Sequence, residues 1–169
     1  MLSHGHSLND ESFQTYLVEV EAIINSRPLT TDGLNDPESI NLLSPINLLT
    51  MKSRVILPPP GSFQQEDLYC RRRWRRVQHL SNDIWSKWRK EFLSQLQSRA
   101  KWTTARRNIR GDDIVLLRDD SHRNEWKRAI VTKAHASDDG IVRTVTIKQN
   151  RVEYVRPANK VVVLVENDG

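Results

Sequence analysis

One unbroken segment, residues 62–102, constrains the fold of this chain more than any other, because it contains neither glycine nor proline. Ser62 followed by Gln65 is the spacing of a capping box, in which each side chain satisfies a free backbone amide of the other. Two acidic residues then occupy the first turn, where the helix dipole favours negative charge: Glu66 and Asp67. The segment predicts one long α-helix beginning near Phe63.

The long helix has two chemically different sides when residues are advanced by about 100° each. One side is an apolar stripe that includes three tryptophans: Trp74, Val77, Leu80, Ile84, Trp85, Trp88, Phe92 and Leu96. Cations collect on the other side: Arg71, Arg72, Arg75, Arg76, Lys87, Arg89 and Lys90. The stripe predicts packing of the tryptophans in a core, with stacking on nucleic-acid bases as the alternative.

Positive charge is concentrated between residues 71 and 110, which hold thirteen Lys and Arg against only Asp83 and Glu91. A helix face that is merely solvated usually mixes charge signs to avoid repulsion between neighbours. The basic block therefore favours a polyanionic partner, and a solvated face is the alternative. The candidate nucleic-acid contacts are Arg71, Arg72, Arg75, Arg76, Lys87, Arg89, Lys90, Lys101, Arg106, Arg107 and Arg110.

A shorter helix precedes the basic segment, capped by Asn9 or Asp10 and ending near Ser26, before the helix-disfavouring Arg27-Pro28 pair. Four apolar residues at helical spacing predict its buried stripe: Phe13, Leu17, Val20 and Ile24. Its two central carboxylates point in nearly opposite directions and are interpreted as solvated rather than catalytic: Glu19 and Glu21.

Turn-forming residues dominate residues 29–61, which we interpret as a connector. Ser44 and Pro45 form a favourable helix start, so a short helix from Pro45 to about Met51 is expected within it.

The pattern changes after Gly111 to short runs rich in β-branched residues. The predicted strands are 114–118, 126–133, 141–148 and 161–165, with a further short strand around Tyr154 and Val155. Asp139-Gly140 is a hairpin turn signal, and Asp112 and Asp113 are interpreted as turn residues. These elements predict an α+β fold: an N-terminal helix, a connector, one long basic amphipathic helix, and a small antiparallel β-barrel that leans on that helix.

Several stretches in the same order carry a family resemblance: TYLVEVEAIINSRPLT, LLSPINLL, LYCRRRWRRVQHLSNDIWSKWRKEFLSQLQSRAKW, GDDIVLL, EWKRAIVTK, DDGIVRTVTIK and VRPANKVVVL. Together they closely resemble the C-terminal end of the integrase region in BEL/Pao-type LTR-retrotransposon polyproteins. The resemblance extends from about Asp10 to Glu166.

The resemblance implies four parts. Residues 1–28 would be the last helix of an RNase H-like integrase core, 29–61 a connector with a short helix, 62–104 the long basic helix, and 105–169 an SH3-like barrel. In such integrases two Asp and one Glu hold Mg²⁺ for strand transfer, and those residues lie upstream of the helix that ends in NSRPL. No catalytic residue, metal ligand or cofactor is therefore assigned here, and the chain is expected not to be an enzyme.

The implied function is a non-catalytic fragment of a retrotransposon integrase that contacts the DNA backbone during DNA integration, with DNA and other integrase subunits as partners. One cysteine, Cys70, and no apolar run long enough for a bilayer favour an intracellular protein, nuclear when it acts on chromosomal DNA. Two alternatives stay open. One is a protein-interaction module whose barrel binds a chromatin tail through an aromatic cage, for which residues 111–169 offer only Trp126 and Tyr154, and the other is a non-functional relic of the element.

Overall fold

The computed structural model of the chain describes residues 8–31, 42–51, 58–59, 61–69, 73–96 and 107–166. Its elements are helix α1 (Asp10–Asn25), strands β1 (Thr30–Thr31) and β2 (Leu42–Leu43), helices α2 (Pro45–Thr50) and α3 (Arg73–Leu96), and five further strands. The five are β3 (Ile114–Leu117), β4 (Arg128–Ala136), β5 (Val142–Gln149), β6 (Val152–Pro157) and β7 (Val161–Val165). Short 3₁₀ helices lie at Gln65–Tyr69 and Ala158–Lys160.

The α+β class is confirmed, with the helices preceding a five-stranded antiparallel sheet in the order β6-β5-β4-β3-β7, while β1 and β2 pair as a separate two-stranded sheet. Irregular register in β4, between Val131 and Lys133 and between His135 and Ala136, bends the sheet. The turn predicted at Asp139-Gly140 joins β4 to β5, and Gly140 supplies its left-handed conformation with φ 75°. The result is a small barrel-like sheet built from alternating residues.

The two faces of the sheet bury different clusters. We call the inner one the barrel core; it is aliphatic and consists of Val115, Leu117, Ala129, Val131, Val145, Ile147 and Val161. The outer face packs against the helices and forms what we call the interface cluster: Ile23, Trp85, Leu93, Leu116, Trp126 and Val162. Adjacent residues such as Leu116 and Leu117 serve different clusters because side chains alternate along a strand.

Helix α3 begins at Arg73, later than the capping pattern predicted. A capping contact forms two residues further along the chain instead, where the Asp67 carboxylate accepts a hydrogen bond from the Gln64 amide at 2.9 Å. This contact begins the five-residue 3₁₀ helix, and Arg75 joins that helix to the first turn of α3. The predicted continuation over residues 97–104 lies outside the described residues.

The buried side of α1 differs from the predicted stripe. Phe13 and Leu17 are each 49% exposed, whereas Ile23 is completely buried. The helix packs on α3 through a face that also carries small and polar residues: Ser12, Glu19 and Ser26. A stripe chosen by hydrophobicity alone therefore selects the wrong side. The N-cap Asn9, which accepts from the Ser12 amide, is as predicted.

Candidate nucleic-acid interface

The predicted cations divide into three groups in the structure. Arg71, Arg72, Lys101 and Arg106 lie outside the described residues. Lys87, Lys90 and Arg110 are exposed, and their side chains make no hydrogen bond or ion pair within the described part of the chain. The remaining four are engaged by other parts of the protein: Arg75, Arg76, Arg89 and Arg107. Position on the polar side of a helix therefore does not distinguish a structural arginine from an available one.

Arg75 and Arg76 fasten the 3₁₀ helix to the start of α3. The Nε atom of Arg75 donates to Asp67 at 2.7 Å, and its guanidinium lies 5.7 Å from the centre of the Phe63 ring. Arg76 donates to the Leu68 carbonyl at 2.9 Å. Both side chains are half-buried. Their hydrogen-bond donors, which the prediction assigned to phosphates, are partly used within the fold.

Arg107 links the residue before β3 to the residue after the neighbouring strand β7. It donates to both oxygens of Asp113, at 2.7 and 3.2 Å, and to Glu166, which follows β7, at 3.1 Å. The Asp113 hydrogen bond is the main reason that the pKa of Arg107 is raised. Asp113, which was predicted to be a turn residue, is fully buried and also accepts from the Arg110 amide, so it acts as an anchoring carboxylate.

Arg89 joins α3 to the end of β3. Its guanidinium donates to the Leu117 carbonyl at 3.0 Å and to the Asp119 carbonyl. Burial lowers the pKa of Arg89, and the nearby carboxylates of Asp120 and Asp119 oppose that effect. An arginine nevertheless stays charged at any physiological pH, so Arg89 adds positive charge beneath this part of the surface.

A cleft of about 340 Å³ opens between α3 and the end of the sheet, and we call it the basic cleft. Its charged lining comes from three separate segments of the chain: Arg89 and Lys90 of α3, Arg118 and Asp120 after β3, and Lys160 before β7. The Arg118 amide donates to the Lys160 carbonyl at 3.0 Å, which brings these two residues side by side. Four cations against one carboxylate make this cleft suitable for an anionic group.

Sequence reasoning missed Arg118 and Lys160. They belong to residues 111–169, which contain ten cations and ten carboxylates and so carry no net charge. Their contribution depends on strand pairing between distant segments, a feature that a count along the chain does not reveal.

The outer wall of the basic cleft is the loop 118–127, which a buried polar network holds in place. Arg123 is almost fully buried and donates to Glu19 of α1 at 3.1 Å, to Asn82 of α3 at 3.0 Å, and to the carbonyl and side-chain oxygens of Gln78. Gln78 in turn donates to Glu19 at 2.9 Å. Glu19 is therefore not the solvated carboxylate that we predicted, whereas Glu21 is exposed.

The tryptophans of the described residues, which leave out Trp102, are mostly packing residues. Trp85 meets Trp126 edge to face with ring centres 5.0 Å apart, and Phe92 contacts Trp126 at 5.3 Å. Trp74 departs from the predicted stripe, since it is 47% exposed and packs on Phe63. The described residues bring Trp126 and Tyr154 to different clusters, so these two aromatics do not form one cage for a methylated lysine.

In the described part of the chain, no three His, Cys, Asp or Glu side chains lie together as a metal site would require. None of the described helices is long and apolar enough to span a membrane.

The comparisons with known proteins identify a family but not an activity. A family of unknown function (DUF5641) matches residues 72–164, more than half of the 169-residue chain, and the chain belongs to this family. The match covers all of α3 and nearly all of the sheet, the two elements that form the basic cleft. No curated protein and no solved structure matches the chain.

Proposed function

We propose that this chain is a non-catalytic, DNA-binding part of a retrotransposon integrase of the BEL/Pao type, which contacts the phosphate backbone during DNA integration. The proposal combines the resemblance quoted above with the charge distribution of α3 and the sheet. On this proposal DNA is the main partner, other integrase subunits are further partners, and the protein acts in the nucleus on chromosomal DNA.

The observation that carries the proposal is the convergence of cations from separate segments on one side of the molecule. Lys90 lies in the basic cleft with Arg118 and Lys160, and Lys87 stands exposed one helical turn before Lys90 on α3. Surface charges that are merely solvated have no reason to converge on one cleft from three separate segments of the chain. Because phosphate contacts position a protein without reading bases, the expected binding has little sequence preference.

The salt dependence of DNA binding tests this proposal directly. Neutralising one phosphate releases condensed counterions, so each lost contact should reduce the log-affinity against log-salt slope by about 0.9 for duplex DNA. We expect Lys87→Gln with Lys90→Gln to weaken binding to several mixed-sequence duplexes equally and to reduce the slope by roughly 2. Fluorescence anisotropy at several salt concentrations measures both quantities.

The matched control is Lys133→Gln with Lys148→Gln, which removes the same charge from exposed positions on β4 and β5 outside the basic cleft. Circular dichroism shows whether each variant is folded. Equal slopes for the two folded variants would mean that α3 makes no special contact with DNA. Failure of the unmodified protein to bind any DNA, duplex or single-stranded, would overturn the proposal itself.

A second test addresses the non-catalytic part of the proposal. The carboxylate triad that the resemblance implies lies upstream of the helix ending in NSRPL. We therefore expect no metal-dependent cleavage or joining of labelled DNA ends by the purified chain with Mg²⁺ or Mn²⁺. Joined products that disappear when the divalent metal is chelated would contradict this expectation.

A further inference from the structure

A second cavity lies next to the basic cleft along α3. This second cavity has a volume of about 800 Å³, and we call it the apolar groove. The two cavities share three lining residues, Trp85, Ser86 and Ser121. The two cavities are therefore neighbours on the surface, and we call the pair the channel; α3 and the loop 118–127 contribute to the lining of both.

The two ends of this channel have different chemistry. Four cations line the basic cleft. The apolar groove is lined by Pro58, Pro59, Phe63, His122 and Glu125 among others, and Trp85 is common to both parts. Its one cation among the described residues, Arg123, is paired with Glu19 inside the protein. His122 is exposed, and the hydrogen bonds of this residue with Glu125 involve its backbone, so the imidazole ring is available. Aromatic rings and prolines can pack against a flat apolar group, and neighbouring cations can bind an anionic group. The channel therefore suits a ligand that contains both groups.

We propose that this channel binds an unpaired strand of nucleic acid, with a phosphate in the basic cleft and an unstacked base in the apolar groove. In a duplex the bases are stacked and paired inside the helix, so only phosphates and groove edges reach a protein surface. A single strand exposes both groups, and proteins that bind such strands combine a cationic track with ring contacts to bases. The inference rests on the proposed DNA-binding function and specifies the form of nucleic acid that this site takes.

The wall of the channel is held in position before any ligand arrives. Arg123 anchors it to α1 and α3, and Lys127 donates to the Asp120 carbonyl. Ser121 donates to the Glu125 carbonyl at 2.8 Å, which closes the tight turn that presents His122. Because these contacts are internal, little ordering of the wall is required on binding, and this favours affinity.

Three labelled probes of equal phosphate number test the inference with the full chain: an oligothymidylate of about 12 nucleotides, an abasic strand, and a blunt hairpin duplex. We expect the oligothymidylate to bind at least about fivefold more tightly than the abasic strand, the factor that corresponds to a weak base–ring contact. We also expect it to bind more tightly than the duplex at equal salt.

Two sets of variants separate the ends of the channel. His122→Ala should bring the oligothymidylate close to the affinity of the abasic strand and leave the duplex unchanged. Lys90→Gln with Lys160→Gln should weaken both strands and reduce the single-strand salt slope by about 1.4, at roughly 0.7 for each phosphate. Lys133→Gln with Lys148→Gln is the control of equal charge.

The possible failures are distinct. Equal binding of the oligothymidylate and the abasic strand, or tighter binding of the duplex, would overturn the inference and leave backbone binding intact. A folded His122→Ala protein with an unchanged preference for the oligothymidylate would overturn the assignment of the base to the apolar groove. Absence of binding to all three probes would overturn the proposed function together with the inference.

Discussion

The barrel core and the interface cluster lie on opposite faces of the same sheet, yet they are built from different residues. The barrel core contains only Val, Leu, Ile and Ala, and the described residues place no charged group within it. The interface cluster is dominated by Trp85 and Trp126 and borders the Arg123 network. The inner cluster closes a small barrel, whereas the outer one joins α1, α3 and the sheet.

This difference indicates that the sheet is not an independent unit. Leu116, Trp126 and Val162 are almost completely buried only because the helices cover them. Without that cover, two aliphatic residues and an indole would face water on a domain already near the lower limit of size for stability. We therefore expect the helices and the sheet to unfold together.

Trp85→Ala is expected to have the largest effect, because it removes the indole at the centre of the interface cluster. Loss of a buried tryptophan should lower the free energy of unfolding by about 3–5 kcal/mol. Urea unfolding followed by circular dichroism measures it. The control is Trp74→Ala on the same helix, which is half-exposed and should cost below roughly 1 kcal/mol. Unfolding of the sheet at an unchanged midpoint in Trp85→Ala would refute the dependence of the sheet on α3.

Glu19→Gln should have the next largest effect, since it removes the only carboxylate that the described residues place against the buried guanidinium of Arg123. A quarter of the Glu19 side chain is exposed, so water partly compensates, and a loss of about 1–3 kcal/mol is expected. Glu21→Gln, at an exposed position two residues further along α1, is the matched control. Equal unfolding midpoints for the two variants would mean that the network contributes nothing to joining α1 and the loop 118–127.

Ile147→Val examines the barrel core with a smaller change. Removal of one buried methylene should cost about 0.5–1.5 kcal/mol. Two signals report on the two clusters: tryptophan fluorescence on the interface cluster and circular dichroism on the strands. The unfolding midpoints from both signals should shift by the same amount. Separate transitions for the two signals would show that the barrel core and the interface cluster fold independently.

The smallest effect is expected at Asp67, away from both clusters. The hydrogen bond from Arg75, followed by that from the Gln64 amide, holds the pKa of Asp67 below its usual 3.8. A depressed carboxyl pKa stabilises the fold above the unfolded-state value, and this contribution is lost as the pH falls through the folded-state value. The stability difference between the parent and Asp67→Asn should therefore shrink on acidification below about pH 4. Glu66→Gln, altered at an exposed neighbour, should show no such convergence in urea unfolding.

Sequence patterns predicted the elements of this molecule well where local chemistry decides them. The cap at Asn9, the short helix after Ser44 and the turn at Gly140 each depend on residues within four positions of one another. The alternation of β-branched residues likewise gave the strands of the sheet. Strand β6, which was expected only as a short strand around Tyr154, extends over Val152–Pro157.

The predictions failed where distant residues decide the outcome. The packed side of α1 contains Glu19 because Gln78 and Arg123 supply its partners, and those partners are 59 and 104 positions away in the chain. A hydrophobic stripe therefore indicated Phe13 and Leu17 instead. Arg75 and Arg107 similarly resemble free cations in the sequence, and only their carboxylate partners reveal a structural role.

The candidate site was half visible from the sequence. The exposed Lys87 and Lys90 were identified from the basic segment, but Arg118 and Lys160 were not. The pairing of β3 with β7 brings the ends of these strands together, and runs of β-branched residues do not reveal which strands pair. The basic cleft thus depends on the topology of the sheet. Only the cations that α3 contributes to it could be predicted from the sequence.

The contact of Arg107 with Asp113 and Glu166 has a consequence for dividing the protein. The Arg107 guanidinium contacts one residue where the chain enters the sheet and one where it leaves it. A cut just before Arg107 would keep all three residues on the same fragment, so these contacts would be preserved. Residues 1–106 and 107–169 would then carry complementary halves of the interface cluster. Co-expressed as separate polypeptides, they are expected to reassemble as a split protein, with Trp85 on one fragment and Trp126 on the other.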